Sequence, residues 1–185
     1  MFKSIKFLVL FSALIWTACG KDDPSVENDE ELITTVRLTF TPEDGSAPVN
    51  FEFKDLDGNG GNSPVITNGL LKKGAHYKAQ ISFLNETVSP AENITTEISE
   101  ESDDHQIFLR FSTNLNVDWS YLDNDTKGKP LGLSLHVYTP TAGSGTLIVT
   151  LRHQPNKNAA GVDLGDLTNA GGETDVEVTF QVTVQ

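Results

Sequence analysis

The chain is short of cysteine, of basic residues, of membrane-length apolar runs and of catalytic signatures, and each shortage narrows what it does. A single cysteine among 185 residues has no partner for an intrachain disulfide. Lysine and arginine number 13 against 26 aspartates and glutamates, for a formal charge of −13. Residues 1–18 hold two of the basic side chains and none of the acidic ones, so the chain without them is more acidic still. Such a surface repels phosphate backbones, and no basic patch with interleaved aromatics offsets it, which excludes nucleic acid as a partner. The apolar run Phe7–Trp16 is about half the ~20 residues that a membrane-spanning helix needs. Neither a G-x-S-x-G elbow nor a G-x-x-x-x-G-K-[ST] phosphate loop occurs. Gly143-Ser144-Gly145 is turn chemistry. Carboxylate pairs such as Asp103-Asp104 sit in acidic runs, where nothing raises one pKa for general acid work. The chain is therefore expected not to be an enzyme.

What is present begins at the N-terminus. Lys3 and Lys6 precede the apolar run, and the small residues Thr17 and Ala18 follow it before Cys19. That is the order of a secretion signal: charged segment, apolar segment, cleavage site. Trp16-Thr17-Ala18-Cys19 resembles the lipobox of bacterial lipoproteins, with Trp16 where that family usually carries an aliphatic residue. The resemblance implies a diacylglycerol on the Cys19 thiol and cleavage just before it. The alternative is ordinary secretion with one leftover cysteine. Gly20-Lys21-Asp22-Asp23 resembles the export tag of Bacteroidetes-type lipoproteins, which implies the outer leaflet of the outer membrane. The expected organisation is a signal peptide over 1–18, a lipidated Cys19 with an acidic tether over 19–30, and a folded domain over 31–185. Acyl chains on one cysteine would make the membrane itself a partner.

Period-2 alternation dominates the domain and long helical periodicity is missing. Val36, Leu38 and Phe40 alternate, Glu43-Asp44-Gly45 supplies a turn, and Val49, Phe51 and Phe53 alternate again, so residues 33–54 read as a hairpin. Further strands are expected at Tyr77–Phe83, His105–Phe111, Leu115–Tyr121, Leu131–Tyr138, Thr146–His153 and Asp175–Val184. In the last, five apolar residues from Val176 to Val184 share one face, and a one-residue slip would turn all of them to water. The expected fold is all-β, an antiparallel immunoglobulin-like sandwich of about eight strands. Ser89–Asp104 is ambiguous. Ile94 and Ile98 are spaced i, i+4, while Ile94, Thr96 and Ile98 alternate, so either a short strand or a helical turn fits.

Three constellations bear on function. Asp55-Leu56-Asp57-Gly58-Asn59-Gly60 matches the first half of a calcium loop, D-x-D-x-N-G, which points Asp55, Asp57 and Asn59 at one Ca²⁺. Ile66 stands where an EF-hand places its bidentate glutamate, and loop chemistry alone also explains the string. His105 and His153 each stand at a strand end. If those ends meet, the pair would bind a transition metal or haem iron; strand-end histidines without a ligand are the plainer reading. Trp119 and Tyr121 share a strand face and read first as core, second as a ligand-stacking platform with His136 and Tyr138.

Glu30-Glu31-Leu32-Ile33-Thr34-Thr35, Asp104-His105-Gln106, Gly143-Ser144-Gly145-Thr146-Leu147, Leu151-Arg152-His153-Gln154-Pro155-Asn156-Lys157 and Thr168-Asn169-Ala170-Gly171-Gly172-Glu173-Thr174-Asp175 together resemble a family of uncharacterised Bacteroidetes-type surface lipoproteins. Relatives sometimes carry the label of a type 1 periplasmic-binding fold, which this alternation does not support, because that fold needs strands alternating with long helices. The resemblance implies a lipid-anchored, surface-exposed binding or accessory module at the outer membrane, with an outer-membrane receptor of a TonB-dependent nutrient or metal uptake system as a partner. The alternative expectation is a calcium-stabilised structural or adhesive module.

Overall fold

A computed structural model describes residues 31–58 and 61–185. The expected signal peptide, Cys19, the expected tether and Asn59 lie outside the described residues. The alternating segments form β1 (Thr35–Pro42), β2 (Val49–Lys54), β3 (Val65–Thr67), β4 (Leu70–Leu71), β5 (Ala75–Leu84), β6 (His105–Phe111), β7 (Asp118–Tyr121), β8 (Ser134–Thr139), β9 (Gly143–His153) and β10 (Glu173–Val184), with a helix α1 (Ile94–Glu100) between β5 and β6. They make two sheets, β3-β2-β1-β5-β8-β7 and β4-β10-β9-β6. The fold is an all-β sandwich, as the alternation predicts.

The expected count of eight strands rises to ten because β3 and β4 span only three and two residues, too few to show a period. β4 runs parallel beside β10, whereas the other pairings are antiparallel. The expected hairpin pairs Val36 with Phe53 and Phe40 with Val49. One continuous core fills the space between the sheets, with Val36, Leu38, Phe40 and Phe83 facing Leu147, Leu151, Phe180 and Val182. Phe40, Phe51 and Phe180 meet edge to face. Burying each such ring contributes roughly 1.5–3 kcal/mol.

The ambiguous segment resolves as the helix α1. Its i, i+4 pair wins because Ile94 and Ile98 both reach the core. Thr95 docks the helix on β5, accepting from the Phe83 N–H at 2.8 Å and donating to the Phe83 carbonyl at 3.1 Å. Trp119 and Tyr121 pair in register with Val137 and Leu135 and pack against the core. His136 and Tyr138 are the alternate residues of β8 and point to the other face. The core reading of Trp119 holds and the shared platform does not form.

The connection from β9 to β10 folds over the outer face of the four-stranded sheet. There Val162 and Ala170 cover Phe108, which is why β6 is buried on both sides. Lys157 fixes this connection. Its Nζ donates to the Asp125 carboxylate (2.9 Å) and to the Ser102 and Pro130 carbonyls (2.7 and 3.2 Å). The two side chains are only 6% and 1% exposed. Burial pushes the Asp125 carboxyl up, but the Lys157 ammonium and the backbone N–H groups of Lys129 and Lys127 outweigh it and hold the carboxyl below its ordinary value.

Candidate metal centre

Two registers carry polar side chains to one end of the sandwich. Along β6, Ile107 and Leu109 are inward core residues, so His105, two residues earlier, also points inward. Along β9, Leu147, Val149 and Leu151 do the same, which brings His153 inward and in register with His105. Both hydrophobic rows therefore terminate in histidine. On β10 the register shifts between Thr174 and Val176, leaving Asp175 as the extra residue of a bulge. Bulges re-aim side chains, and here the Asp175 carboxylate comes to 3.8 Å from His105 Nε2, with the two side chains 9% and 2% exposed. Gly172 starts this strand at φ +69°; a Cβ there would sit 2.2 Å from the His153 carbonyl oxygen, so only glycine brings β10 this close.

Glu31 and Glu101 complete the cluster. Glu101 caps the C-terminal end of α1, and Glu31 enters just before β1. One carboxylate oxygen of each lies with a His105 ring nitrogen in a triad whose ligand atoms are all within 4.8 Å of one another. His105 Nδ1 is 3.1 Å from the Glu101 carbonyl oxygen. A carbonyl only accepts, so Nδ1 carries the proton and Nε2 is the nitrogen with a lone pair for a metal ion. Among the described residues no lysine or arginine pairs with Glu31 or Glu101.

The electrostatics follow from that concentration of negative charge. Burial, then the carboxylates of Glu97, Asp175 and Glu101, push the Glu31 carboxyl up to about 7. Burial also holds the His105 imidazole below its ordinary value, against the upward pull of the Glu101 carbonyl and Asp175. Glu31 thus holds its proton more tightly in the folded than in the unfolded chain. Ionising it costs the folded state progressively as pH rises from the ordinary value of 4.5 to about 7. In chelator, Glu31→Gln is expected to raise stability at pH 8 by roughly 1–2 kcal/mol, allowing for solvent screening. The gain should vanish at pH 5. His105 acts in the opposite sense as pH falls, so melting curves of variant and wild type are compared at each pH. An equal gain at both values would show that Glu31 does not titrate in this window.

The sequence-predicted residues fall around this end in different ways. His105 and His153 do meet, as stacked rings with centroids 4.9 Å apart and planes 10° from parallel. An ion in the plane of one stacked ring lies outside the plane of the other, so the donors that converge with His105 are carboxylates, and His153 is a wall. Asp55 and Asp57 line a groove of about 490 Å³ beside the cluster, together with Leu32, Ile33, Phe53, Asp175, Val176 and Glu177. Their carboxylates are engaged within their own loop. Asp55 accepts from the Asp57 and Gly58 N–H groups, and Asp57 accepts from the backbone and side-chain amides of Asn62. Sequence reasoning misses Glu31 and Glu101, and reads Asp175 only as one oxygen donor of the loop stretch Asp163, Asp166, Asn169, Glu173 and Asp175. The alternation passes through Asp175 without interruption, so nothing in it marks the bulge.

Comparison with protein-family models, with curated proteins and with solved structures finds no match to this chain. The chemistry of the site rests on its own geometry.

Proposed function

We propose that this chain is a lipid-anchored, non-catalytic module that holds a borderline divalent metal ion, of the Zn²⁺ type, at the outer membrane. The observation that carries the reading is the convergence of a His105 ring nitrogen with carboxylate oxygens of Glu31 and Glu101 within 4.8 Å, beside an Asp175 carboxylate 3.8 Å from His105 Nε2. One imidazole nitrogen with carboxylate oxygens suits Zn²⁺, whereas calcium takes oxygen donors alone. With Asp175, 3.8 Å from His105 Nε2, as a fourth donor beside the three that converge, the protein would close a tetrahedral shell, the arrangement of sites that hold a metal rather than use it; catalytic sites keep a position open. The location rests on the Cys19 lipobox, and the partnership with a TonB-dependent uptake receptor rests on the lipoprotein resemblance.

Thermal melts of tag-free, chelator-stripped protein test this. Zn²⁺ at about a hundred times its Kd stabilises by about 2.7 kcal/mol, and His105→Gln is expected to lose that gain. A zinc shift undiminished in His105→Gln overturns the site. A shift with Ca²⁺ but not Zn²⁺, lost in Asp55→Asn, replaces the reading with a calcium-stabilised structural module.

A further inference from the structure

A separate constellation lies on the outer face of the six-stranded sheet. His76 on β5 pairs in register with Tyr138 on β8, and Lys78 with His136, so His76 and His136 are diagonal cross-strand neighbours on one face. His76 Nδ1 and His136 Nε2 are 3.2 Å apart. Glu43 joins them from the turn after β1, its Oε1 lying 4.0 Å from His136 Nε2, and the three ligand atoms are within 4.8 Å of one another. We propose that Glu43, His76 and His136 form a second, surface site for a divalent transition ion of the Zn²⁺ or Cu²⁺ class.

Three features of the geometry support it. Two nitrogens bound at 2.0–2.1 Å to a tetrahedral zinc stand roughly 3.3–3.4 Å apart, close to the separation found here, so the imidazoles need little movement to share an ion. The Glu43 backbone N–H donates to the His76 carbonyl at 2.9 Å, which fixes the carboxylate-bearing residue beside the first histidine. Tyr138 stacks on His76 with centroids 4.2 Å apart and planes 10° from parallel, holding that ring in place. The neighbouring cation is already engaged, since Lys72 pairs with Asp44 at 3.0 Å. Lys78, in register with His136, is exposed and long enough to turn its ammonium to water. Imidazole donors select zinc, copper and nickel over calcium or magnesium. With three protein ligands the site leaves coordination positions open to solvent, where a group on a partner or a small chelator could complete the shell.

This site stands independently of the His105 cluster, and the test separates them. Equilibrium dialysis and calorimetric titration with Zn²⁺, and visible spectra with Co²⁺, are applied to the tag-free protein after chelator treatment. Wild type is expected to take up one zinc equivalent that Glu31→Gln and His105→Gln leave untouched and that His76→Ala and His136→Ala each weaken by more than about 100-fold, beyond the 10–100-fold typical of losing an outer-shell partner. Glu43→Gln is expected to weaken it less, because both imidazoles remain. His76 and Glu43 are exposed, and such substitutions ordinarily change stability by no more than about 0.5 kcal/mol, so an unchanged melting curve in chelator certifies the fold. Zinc titrations identical in wild type, His76→Ala and His136→Ala overturn the proposal. So does a protein whose whole zinc uptake disappears in Glu31→Gln.

Discussion

Lys157→Met is expected to lower unfolding free energy by about 3–5 kcal/mol, the cost of leaving a buried charge without its partner. Methionine keeps the stem that packs against the sheet, so the loss isolates the ammonium. All three of its N–H donors are used, one on Asp125 and two on the Ser102 and Pro130 carbonyls. Removing them strands the Asp125 carboxylate, which is 1% exposed, with only backbone N–H groups to balance it. The connection that covers Phe108 loses its tie to the other side of the molecule, and β6 should then exchange amide protons faster. Urea titrations with matched m-values measure the effect. A change below about 1 kcal/mol would mean that Asp125 takes up a proton on losing Lys157. Lys157→Met/Asp125→Leu, which removes both charges, should recover much of the loss, because a buried ion pair replaced by apolar groups is often neutral or stabilising.

Cys19→Ser is expected to move the protein from the membrane fraction to the soluble one and to abolish labelling with radiolabelled fatty acid. Thioether attachment needs the sulfur, and serine at the same position keeps the rest of the Trp16–Cys19 string. Without the chains, each buried CH₂ that contributes about 0.8 kcal/mol to membrane affinity is lost, and an acidic domain has no electrostatic attraction to anionic lipid that could replace it. A variant that still sediments with membranes, or still incorporates label, overturns the anchor. The all-β domain should melt identically in both forms, because its sheets are built from residues 35–184.

The strands were legible where alternation ran for six residues or more, as in β10, where Val178, Phe180, Val182 and Val184 are all buried. β3 and β4 were not, since two or three residues carry no period. The helix α1 was legible only as an ambiguity: Ile94, Thr96 and Ile98 satisfy both periods, and tertiary contact with β5 decides. Lys157 looked like one more solvated cation. Nothing local distinguishes a buried lysine, because its acceptors come from Ser102, Asp125 and Pro130, remote in sequence. The candidate site was half visible. His105 and His153 stood out as strand ends, and the antiparallel pairing of β6 with β9 joins them. Their true partners could not be read, because Glu31 and Glu101 arrive from segments with no motif spacing and Asp175 enters through a bulge. On the outer face, His76 and His136 are sixty residues apart and become neighbours only through the register of β5 with β8.

Glu31 is both a donor of the proposed cluster and the first of the described residues. If Cys19 carries the proposed lipid, the twelve chain steps from it to Glu31 extend at most about 40–43 Å, and a pull between membrane and domain would enter through the Glu31 backbone. With an ion in place, the force path runs from Glu31 across the metal to β6 and the centre of the four-stranded sheet. Without it, the load would fall on the end of β1, held only by its ladders to β2 and β5. Occupancy of the cluster would therefore set how hard the anchored protein can be pulled before it opens.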